Sequence, residues 1–168
     1  MKNERPKITV PYEQIDILVE LMNICLLLLI WGYAIVEYAK LPDTIAIHFN
    51  AQGVADGHGN KMMLWLMPAL ATFIFFVMFI INKFPHVHNY MVNITEENAL
   101  KNYRLSTRVL RLVNLYCLLL FAAITYEIIS MSKGNESTFF VNGFIIFSLI
   151  VPILIVIVAI YYQKKINR

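Results

Sequence analysis

Residues 41–61 read LPDTIAIHFNAQGVADGHGNK, a polar stretch set between two long apolar runs. From position 44 to position 50 apolar and polar side chains alternate, which predicts a short strand with two unlike faces. The apolar face would carry Ile45, Ile47 and Phe49, and the other face Thr44, Ala46, His48 and Asn50. Asp, Asn and the glycines that follow favour tight turns. We therefore expect a compact, hairpin-like loop.

The sequence on either side of this loop is that of a membrane protein. Hydrophobic residues make up 59% of the 168 positions and charged residues only 15%, unlike a soluble domain. The apolar runs cover positions 17–38, 62–81, 112–131 and 139–162. Each is long enough to cross a bilayer as a helix, and none alternates like a barrel strand. The predicted fold class is an all-α membrane protein, one domain of four transmembrane helices over residues 1–168.

Lys and Arg are distributed unequally between the two sides of this predicted bundle. Eleven of the fourteen lie in the N-terminal segment, the loop between the second and third spans, and the C-terminal tail. The other three are Lys40, Lys61 and Lys133. Because basic residues accumulate on the cytoplasmic side of membrane proteins, both termini are predicted to be cytoplasmic. The 41–61 loop is then extracytoplasmic.

The two cysteines, Cys25 and Cys117, both fall inside apolar runs. A disulfide-linked extracytoplasmic loop is therefore excluded, and both should pack as small apolar side chains. No Gly-rich phosphate loop follows a strand, and the 41–61 loop has no Ser or Cys nucleophile. We expect no cofactor, no resident metal and no nucleic-acid partner. The lipid bilayer is the partner that the composition implies.

A second patterned segment precedes the third span. Thr95 is a good helix N-cap, and Glu96 and Glu97 would lie in the first turn, where acidic side chains favour the helix dipole. No Gly or Pro interrupts the chain from there through the third span. One continuous helix is therefore predicted, with residues 95–111 extending into the cytoplasm. His86 and His88, just before this helix, could both point to one side as metal ligands do, but no third ligand is near, so a solvated turn is expected.

Charged residues on two of the predicted helices share a spacing. Steps of three and four residues connect Lys101, Arg104, Arg108 and Arg111, and likewise Glu13, Asp16, Glu20 and Asn23. Such steps place each set on one face of its helix. Because a carboxylate entering a bilayer needs a partner, we expect Asp16 and Glu20 to face Arg108 and Arg111. The alternative is that the basic face contacts anionic lipid headgroups.

The polar side chains of the 41–61 loop allow three interpretations. If the loop folds back on itself, the residues that would converge are His48, Asn50, Asp56, His58 and Lys61. In the first interpretation they bond the turns of the loop and are structural. In the second they form a recognition surface for a peptide or another ligand. In the third, His48, Asp56 and His58 form a metal or catalytic site, although their spacing matches no standard zinc signature.

The same loop resembles the motif of a known family, the domain of unknown function 1648. The residues that carry the resemblance are Leu41, Pro42, Ile45, Ile47, His48, Phe49, Asn50, Gly53, Asp56, Gly57, Gly59 and Lys61. A segment common after this motif resembles Phe84, Pro85, Asn89, Tyr90, Ile94, Thr95, Glu96, Glu97, Asn98, Ala99, Tyr103 and Arg104. The resemblance covers residues 40–110.

This resemblance implies a bacterial inner-membrane protein of unassigned biochemistry. The family is a bacterial membrane module that is also found at the start of the Sdp immunity proteins. Two positions depart from it, because Ala46 stands where Pro is frequent and His58 where an aromatic residue such as Tyr is frequent. The Sdp immunity proteins are also longer and have additional spans.

Together these patterns predict a non-enzymatic membrane protein of the recognition, immunity or sensing type. It would bind an extracytoplasmic ligand such as a peptide through the 41–61 loop, and a cytoplasmic regulator through the extension at 95–111. A small transporter is the first alternative. Its polar path would use Glu20, Asn23, Asn114, Glu127 and Asn142. A metal-dependent membrane enzyme is the second alternative.

Overall fold

The computed structural model describes residues 4–50, 52–135, 143 and 145–168. Its helices and strands are α1 (Gln14–Tyr38), β1 (Thr44–Phe49), β2 (Ala55–Asn60), α2 (Leu66–Ile81), α3 (Glu96–Ser132) and α4 (Ile145–Ile166). In this part of the chain four helices are long and apolar enough to cross a membrane, the second one counted from Lys61. The predicted fold class, a four-span membrane protein with a small hairpin between its first two spans, is confirmed. Positions 139–142 and 144 of the predicted fourth span lie outside the described residues.

The long helix α3 is the centre of the bundle. It begins after the N-cap Thr95 and continues without a break for 37 residues, as the absence of Gly and Pro predicts. The other three helices each pack against it, and α4 has α3 as its main contact. α1 and α3 run parallel, because ion pairs join Glu13 to Arg104 at one end and Glu37 to Lys133 at the other.

The two ends of the bundle differ. The hairpin covers one of them, here called the hairpin end. At the other, called the terminal end, the hydroxyl of Tyr103 donates to the carbonyl of Pro6 at 2.9 Å, and Asn102 bonds Asn167 at 3.0 Å. Segments near both termini therefore lie at the same end of the bundle, as an even number of spans requires. Which end faces the cytoplasm stays a prediction from the Lys and Arg distribution.

The hairpin departs from simple alternation. β1 and β2 pair antiparallel, but their register shifts between Ala46 and His48 and again between His48 and Phe49. Ile47 and Asp56 are thus the extra residues of two bulges, and a bulge shifts the alternation of side chains by one residue. The predicted division into two faces is therefore wrong at two positions: Ile47, assigned to the apolar face with Ile45, is 41% exposed, and Ala46, assigned to the polar face, is buried.

Three apolar clusters hold the bundle together along its length. At the hairpin end Ile45 packs with Leu64 and with Ile128 and Ile129 of α3. The middle cluster consists of Ile30, Ala71, Phe75 and Leu118. A third cluster, built on Tyr103, lies at the terminal end. Burying one Leu or Ile side chain stabilises by about 1.5–3 kcal/mol, so the first cluster fixes the hairpin to the ends of the helices.

Candidate functional site

The exposed side of the hairpin carries two of the polar side chains that the sequence singles out. His48 on β1 and Asp56 on β2 meet there, with Nδ1 of His48 2.5 Å from Oδ1 of Asp56. The two side chains remain 70% and 43% exposed. An imidazole N–H donating to the carboxylate joins the strands across the register shift, on the side that faces solvent.

Asn50 closes the turn between the two strands. Its Oδ1 accepts hydrogen bonds from the backbone N–H groups of Gln52 and Val54, both at 3.0 Å. Gly53 follows with a φ of 75°, a conformation that glycine adopts at little cost. The geometry therefore makes Asn50 a turn residue, as the structural interpretation of the loop expects.

Lys61 and His58 lie apart from the His48–Asp56 pair. Nζ of Lys61 is 2.9 Å from Oδ1 of Asp43 at the base of the hairpin. His58 is exposed on β2. The expected convergence of five polar side chains is therefore wrong, because the two bulges and the turn direct them to separate places.

Metal binding gains no support from this arrangement. In the described ranges of the chain, no three His, Cys, Asp or Glu side chains come together as metal ligands. A zinc site takes three or four such ligands. His48 and Asp56 supply two, and His58 does not join them.

Gly57 permits the close approach of the strands at His48. A Cβ added at Gly57 would lie 2.8 Å from Cβ of His48, whereas one added at Gly59 would lie 2.8 Å from Cδ1 of Ile47. We expect Gly57→Ala to push the strands apart, and Gly59→Ala to be absorbed by rotation of the exposed Ile47. Hydrogen exchange at 44–60 in lipid nanodiscs should rise about tenfold or more in Gly57→Ala, since overpacking costs about 1–3 kcal/mol. Equal exchange in both variants would contradict the close approach.

At the terminal end the charged faces of α1 and α3 lie against each other. Arg108 donates from Nε to Asp16 at 2.9 Å and from Nη2 to Glu13 at 2.6 Å. Arg111 lies 3.6 Å from Asp16 and 3.4 Å from Glu20. Side chains that share a spacing in the sequence are thus in contact, and we call these contacts the charge ladder.

The charge ladder becomes more buried with depth. Arg108 keeps 30% of its side chain exposed, whereas Asp16 keeps 3% and Arg111 6%. One level deeper, the amide of Asn23 donates to the backbone carbonyl of Arg111 at 3.2 Å. Charges this far from water are stable only while their partners are present. The ladder therefore holds α1 and α3 in one register.

A second cluster at the terminal end joins the loop before α3 to the helix. The hydroxyl of Ser106 lies 2.9 Å from Nδ1 of His88 and 2.7 Å from the hydroxyl of Tyr90. Tyr90 donates to the carbonyl of Pro85, and the guanidinium of Arg5 lies over its ring and donates to the carbonyl of His88. The prediction of a solvated turn at His88 is wrong. No pattern in the sequence connects His88 with Ser106, 18 residues further on.

The protonation of His88 gives a testable dependence on pH. Burial lowers its pKa from the ordinary 6.5, and burial raises the pKa of Tyr90 to about 12, so both are neutral near pH 7. The unfolded chain binds the His88 proton more readily than the folded one. The stability contributed by neutral His88 is thus complete above pH 6.5 and is lost as the pH falls below it.

We therefore expect the free energy of unfolding to fall more steeply in the wild type than in His88→Gln when the pH is lowered from about 7.5 to about 5.5. Thermal unfolding in detergent across this range measures it. The exposed His58 supplies the control, since His58→Gln should keep the wild-type slope. If the free energy of unfolding of His88→Gln fell with pH as steeply as that of the wild type, His88 would not be buried in its neutral form.

The other residues of the second motif start α3. Thr95 and Asn98 form a reciprocal capping box, in which the backbone N–H of Thr95 donates to Oδ1 of Asn98 at 2.9 Å. Glu96 and Glu97 are exposed in the first turn. Tyr103 is completely buried. These residues fix where α3 begins and how its first turns pack.

The polar residues considered for a transport path fall into two groups. Glu20, Asn23 and Asn114 are near the charge ladder, and Glu127 is buried toward the hairpin end. The middle cluster of apolar side chains lies between them. Asn142 is outside the described residues. Within the described part of the chain these side chains do not form a continuous polar path.

Comparison with protein families recognises the hairpin together with parts of the helices before and after it. Residues 25–72 match DUF1648, a domain of unknown function. The DUF1648 segment starts in α1, contains the whole hairpin and ends in α2. It begins earlier than the predicted resemblance and stops before the second motif at Pro85. The family similarity therefore applies to the hairpin and to the adjoining parts of α1 and α2.

A curated relative shares part of this similarity. An uncharacterized protein of Archaeoglobus fulgidus is 32% identical over 62 residues, which are 37% of this chain and 34% of that protein. The match thus spans about a third of the length of the relative. This relative comes from an archaeon, and a bacterial origin of this chain and a relation to Sdp immunity proteins stay predictions. No solved structure matches the chain.

Proposed function

We propose that this chain is a non-enzymatic membrane protein that recognises an extracytoplasmic peptide through the exposed side of the hairpin. The division of the hairpin into two sides supports this function. Ile45 and Ala46 are buried against the helices, while Ile47, His48 and Asp56 are exposed. Binding groups are commonly placed on loops that a rigid scaffold holds in position. An apolar side chain beside groups that donate and accept hydrogen bonds can contact both parts of a peptide.

The strand geometry favours an extended peptide over other ligand classes. In the described residues the sheet has two strands, and β2 pairs with β1 alone. Extended peptides add to such edges through backbone hydrogen bonds, and nearby side chains give specificity. A peptide aligned with β2 would pass close to Asp56 and to its partner His48.

The central helix offers a connection from this surface to the other side of the membrane. Ile128 and Ile129 of α3 pack under the hairpin, and the same helix carries Tyr103 and Arg108 at the terminal end. A helix that contacts both ends can transmit a small displacement. This arrangement supports a sensing role, in which a cytoplasmic regulator contacts the terminal end.

The proposed orientation in the cell membrane can be tested directly. Val54 in the hairpin and Lys165 near the C-terminus are both exposed. A cysteine introduced at Val54 should react in intact cells with a maleimide that cannot cross membranes. A cysteine introduced at Lys165 should react only after the cells are opened. The reverse labelling pattern would overturn an extracytoplasmic hairpin.

A peptide library displayed on phage, selected against the full chain in nanodiscs, tests recognition itself. Peptides that bind the proposed surface should bind the double variant His48→Ala, Asp56→Ala about tenfold more weakly, a loss of about 1.4 kcal/mol. Lys165→Ala, at the opposite end, is the matched control and should bind as the wild type does. Peptides that bind all three proteins equally, or no enrichment of peptides, would contradict a recognition surface on the hairpin.

A further inference from the structure

A cavity of about 640 Å³ lies at the terminal end, between α3 and α4 and beneath the loop that precedes α3. Its inner wall is apolar and includes Leu105, Val109 and Val113 of α3 and Ile155 and Ala159 of α4. Sites for small ligands in proteins are roughly 300–1,000 Å³ in volume. Neither the hairpin surface nor the charge ladder uses this space.

The rim of the cavity is polar. The side chain of Gln163 accepts from the backbone N–H of Met91 at 3.1 Å and donates to Oδ1 of Asn102 at 3.4 Å. Asn102 is completely buried and also bonds the side chain of Asn167. The exposed Asn89 adds a further amide to the rim. Side-chain amides offer both donors and acceptors, so the rim can bond a neutral polar group.

The charge of the lining restricts the ligand. Among the described residues that line the cavity there is no Lys, Arg, Asp or Glu, and both ring nitrogens of the lining residue His88 are already occupied by Ser106 and the carbonyl of Ile81. A charged group enclosed there would lack a partner, which costs several kcal/mol. The part of the ligand that reaches the rim is therefore uncharged.

The cavity is polar at its rim and apolar deeper in the bundle, just as a membrane leaflet is polar at its surface and apolar toward the middle of the bilayer. Asn102 and Gln163 lie at the outer end of the cavity, with Asn102 about 9 Å outside Arg108 of the charge ladder. Val113 and Ile155 lie about 12–16 Å deeper, with Val113 about 3 Å past Arg111, at about 1.5 Å per helical residue. A lipid in this leaflet likewise has its polar head at the surface and its aliphatic chain toward the middle of the bilayer. Such a lipid could enter the cavity sideways from the leaflet and keep its orientation.

We propose that this cavity binds one membrane lipid with an uncharged head. The aliphatic chain lies along Val109, Val113 and Ala159, and the hydroxyl groups of the head bond Gln163 and the exposed Asn89. The bound chain supplies the contacts that an empty apolar space lacks. Because α3 is the main contact of α4, the lipid also becomes part of the packing that holds α4 in place.

Native mass spectrometry of the purified full chain tests this site with two lipids that have the same oleoyl chain. Monoolein has an uncharged head, and oleoyl lysophosphatidylglycerol an anionic one. The wild type should bind one monoolein about tenfold more tightly than the anionic lipid, which is about 1.4 kcal/mol. Equal affinity for both lipids, or many monoolein molecules bound without saturation, would overturn the proposal.

Two neighbouring positions on α4 provide matched variants. Ala159→Phe places a ring inside the cavity, whereas Val158→Phe places the same ring at a position that is 49% exposed. Monoolein binding should fall about tenfold in the first and stay unchanged in the second. Gln163→Leu, at the rim, should remove the preference for the uncharged head even if Ala159→Phe does not fold. Retention of that preference in Gln163→Leu, or equal binding by both Phe variants, would contradict a lipid site here.

Discussion

Replacing Asp16 with Asn should destabilise the protein by about 3–5 kcal/mol, the cost of removing one partner from a buried ion pair. The side chain of Asp16 is 3% exposed and contacts both Arg108 and Arg111. The substitution keeps the size of the side chain but leaves the buried guanidinium of Arg111 with Glu20, at 3.4 Å, as its remaining acidic partner. Equilibrium unfolding in mixed detergent micelles measures the effect as a lower midpoint.

The exposed pair of Glu4 and Lys7 supplies the control for this prediction. Their charged atoms are 4.0 Å apart and the Glu4 side chain is 88% exposed, so Glu4→Gln should shift stability by no more than about 0–1 kcal/mol. The double variant Asp16→Asn, Arg108→Gln should lose less than the sum of the two single losses, because both changes remove the same contact. Additive losses, or an Asp16→Asn as harmless as Glu4→Gln, would refute the energetic role of the charge ladder.

Ile45→Ala should have the second-largest effect, a loss of about 2–5 kcal/mol in the attachment of the hairpin to the helices. Ile45 is 1% exposed and packs with Leu64, Ile128 and Ile129. Removing its side chain leaves a cavity under β1. We expect faster hydrogen exchange throughout β1 and β2 in nanodiscs, while exchange at the terminal end stays unchanged.

Ile47→Ala is the matched control, because it removes the same atoms two positions further on. Ile47 is the bulged residue and is 41% exposed, so its truncation should leave hairpin exchange near the wild-type rate. If side chains alternated strictly along β1, Ile45 and Ile47 would face the same side, and the two variants would have similar effects. Similar exchange in both would therefore show that the bulge is absent and that Ile47 packs inward.

The four spans and the charge ladder could be predicted from the sequence because each has a periodic signal. Continuous apolar runs indicate the spans. Steps of three and four residues place Asp16 and Glu20 on one face of α1, and Arg108 and Arg111 on one face of α3. The position of the hairpin was also predictable from its turn residues. Its two bulges were not, because a strand that contains glycines at 57 and 59 gives only a weak register signal.

The contacts at the terminal end had no such signal. The cluster of His88, Tyr90 and Ser106 and the cavity rim at Asn102 and Gln163 join segments that are far apart in the sequence and share no period. Only tertiary packing brings them together. The burial that lowers the pKa of His88 is likewise a product of that packing, and a pair of histidines in a loop gives no indication of it.

The parallel arrangement of α1 and α3 also has a consequence for how the protein is made. Arg108 is synthesised 92 residues after Asp16, which at about 5–20 residues per second is a delay of roughly 5–20 s. During this interval the carboxylates of α1 stand at the membrane without their guanidinium partners. Until the third helix arrives, the acidic face of the first therefore lacks the partners that it has in the folded protein.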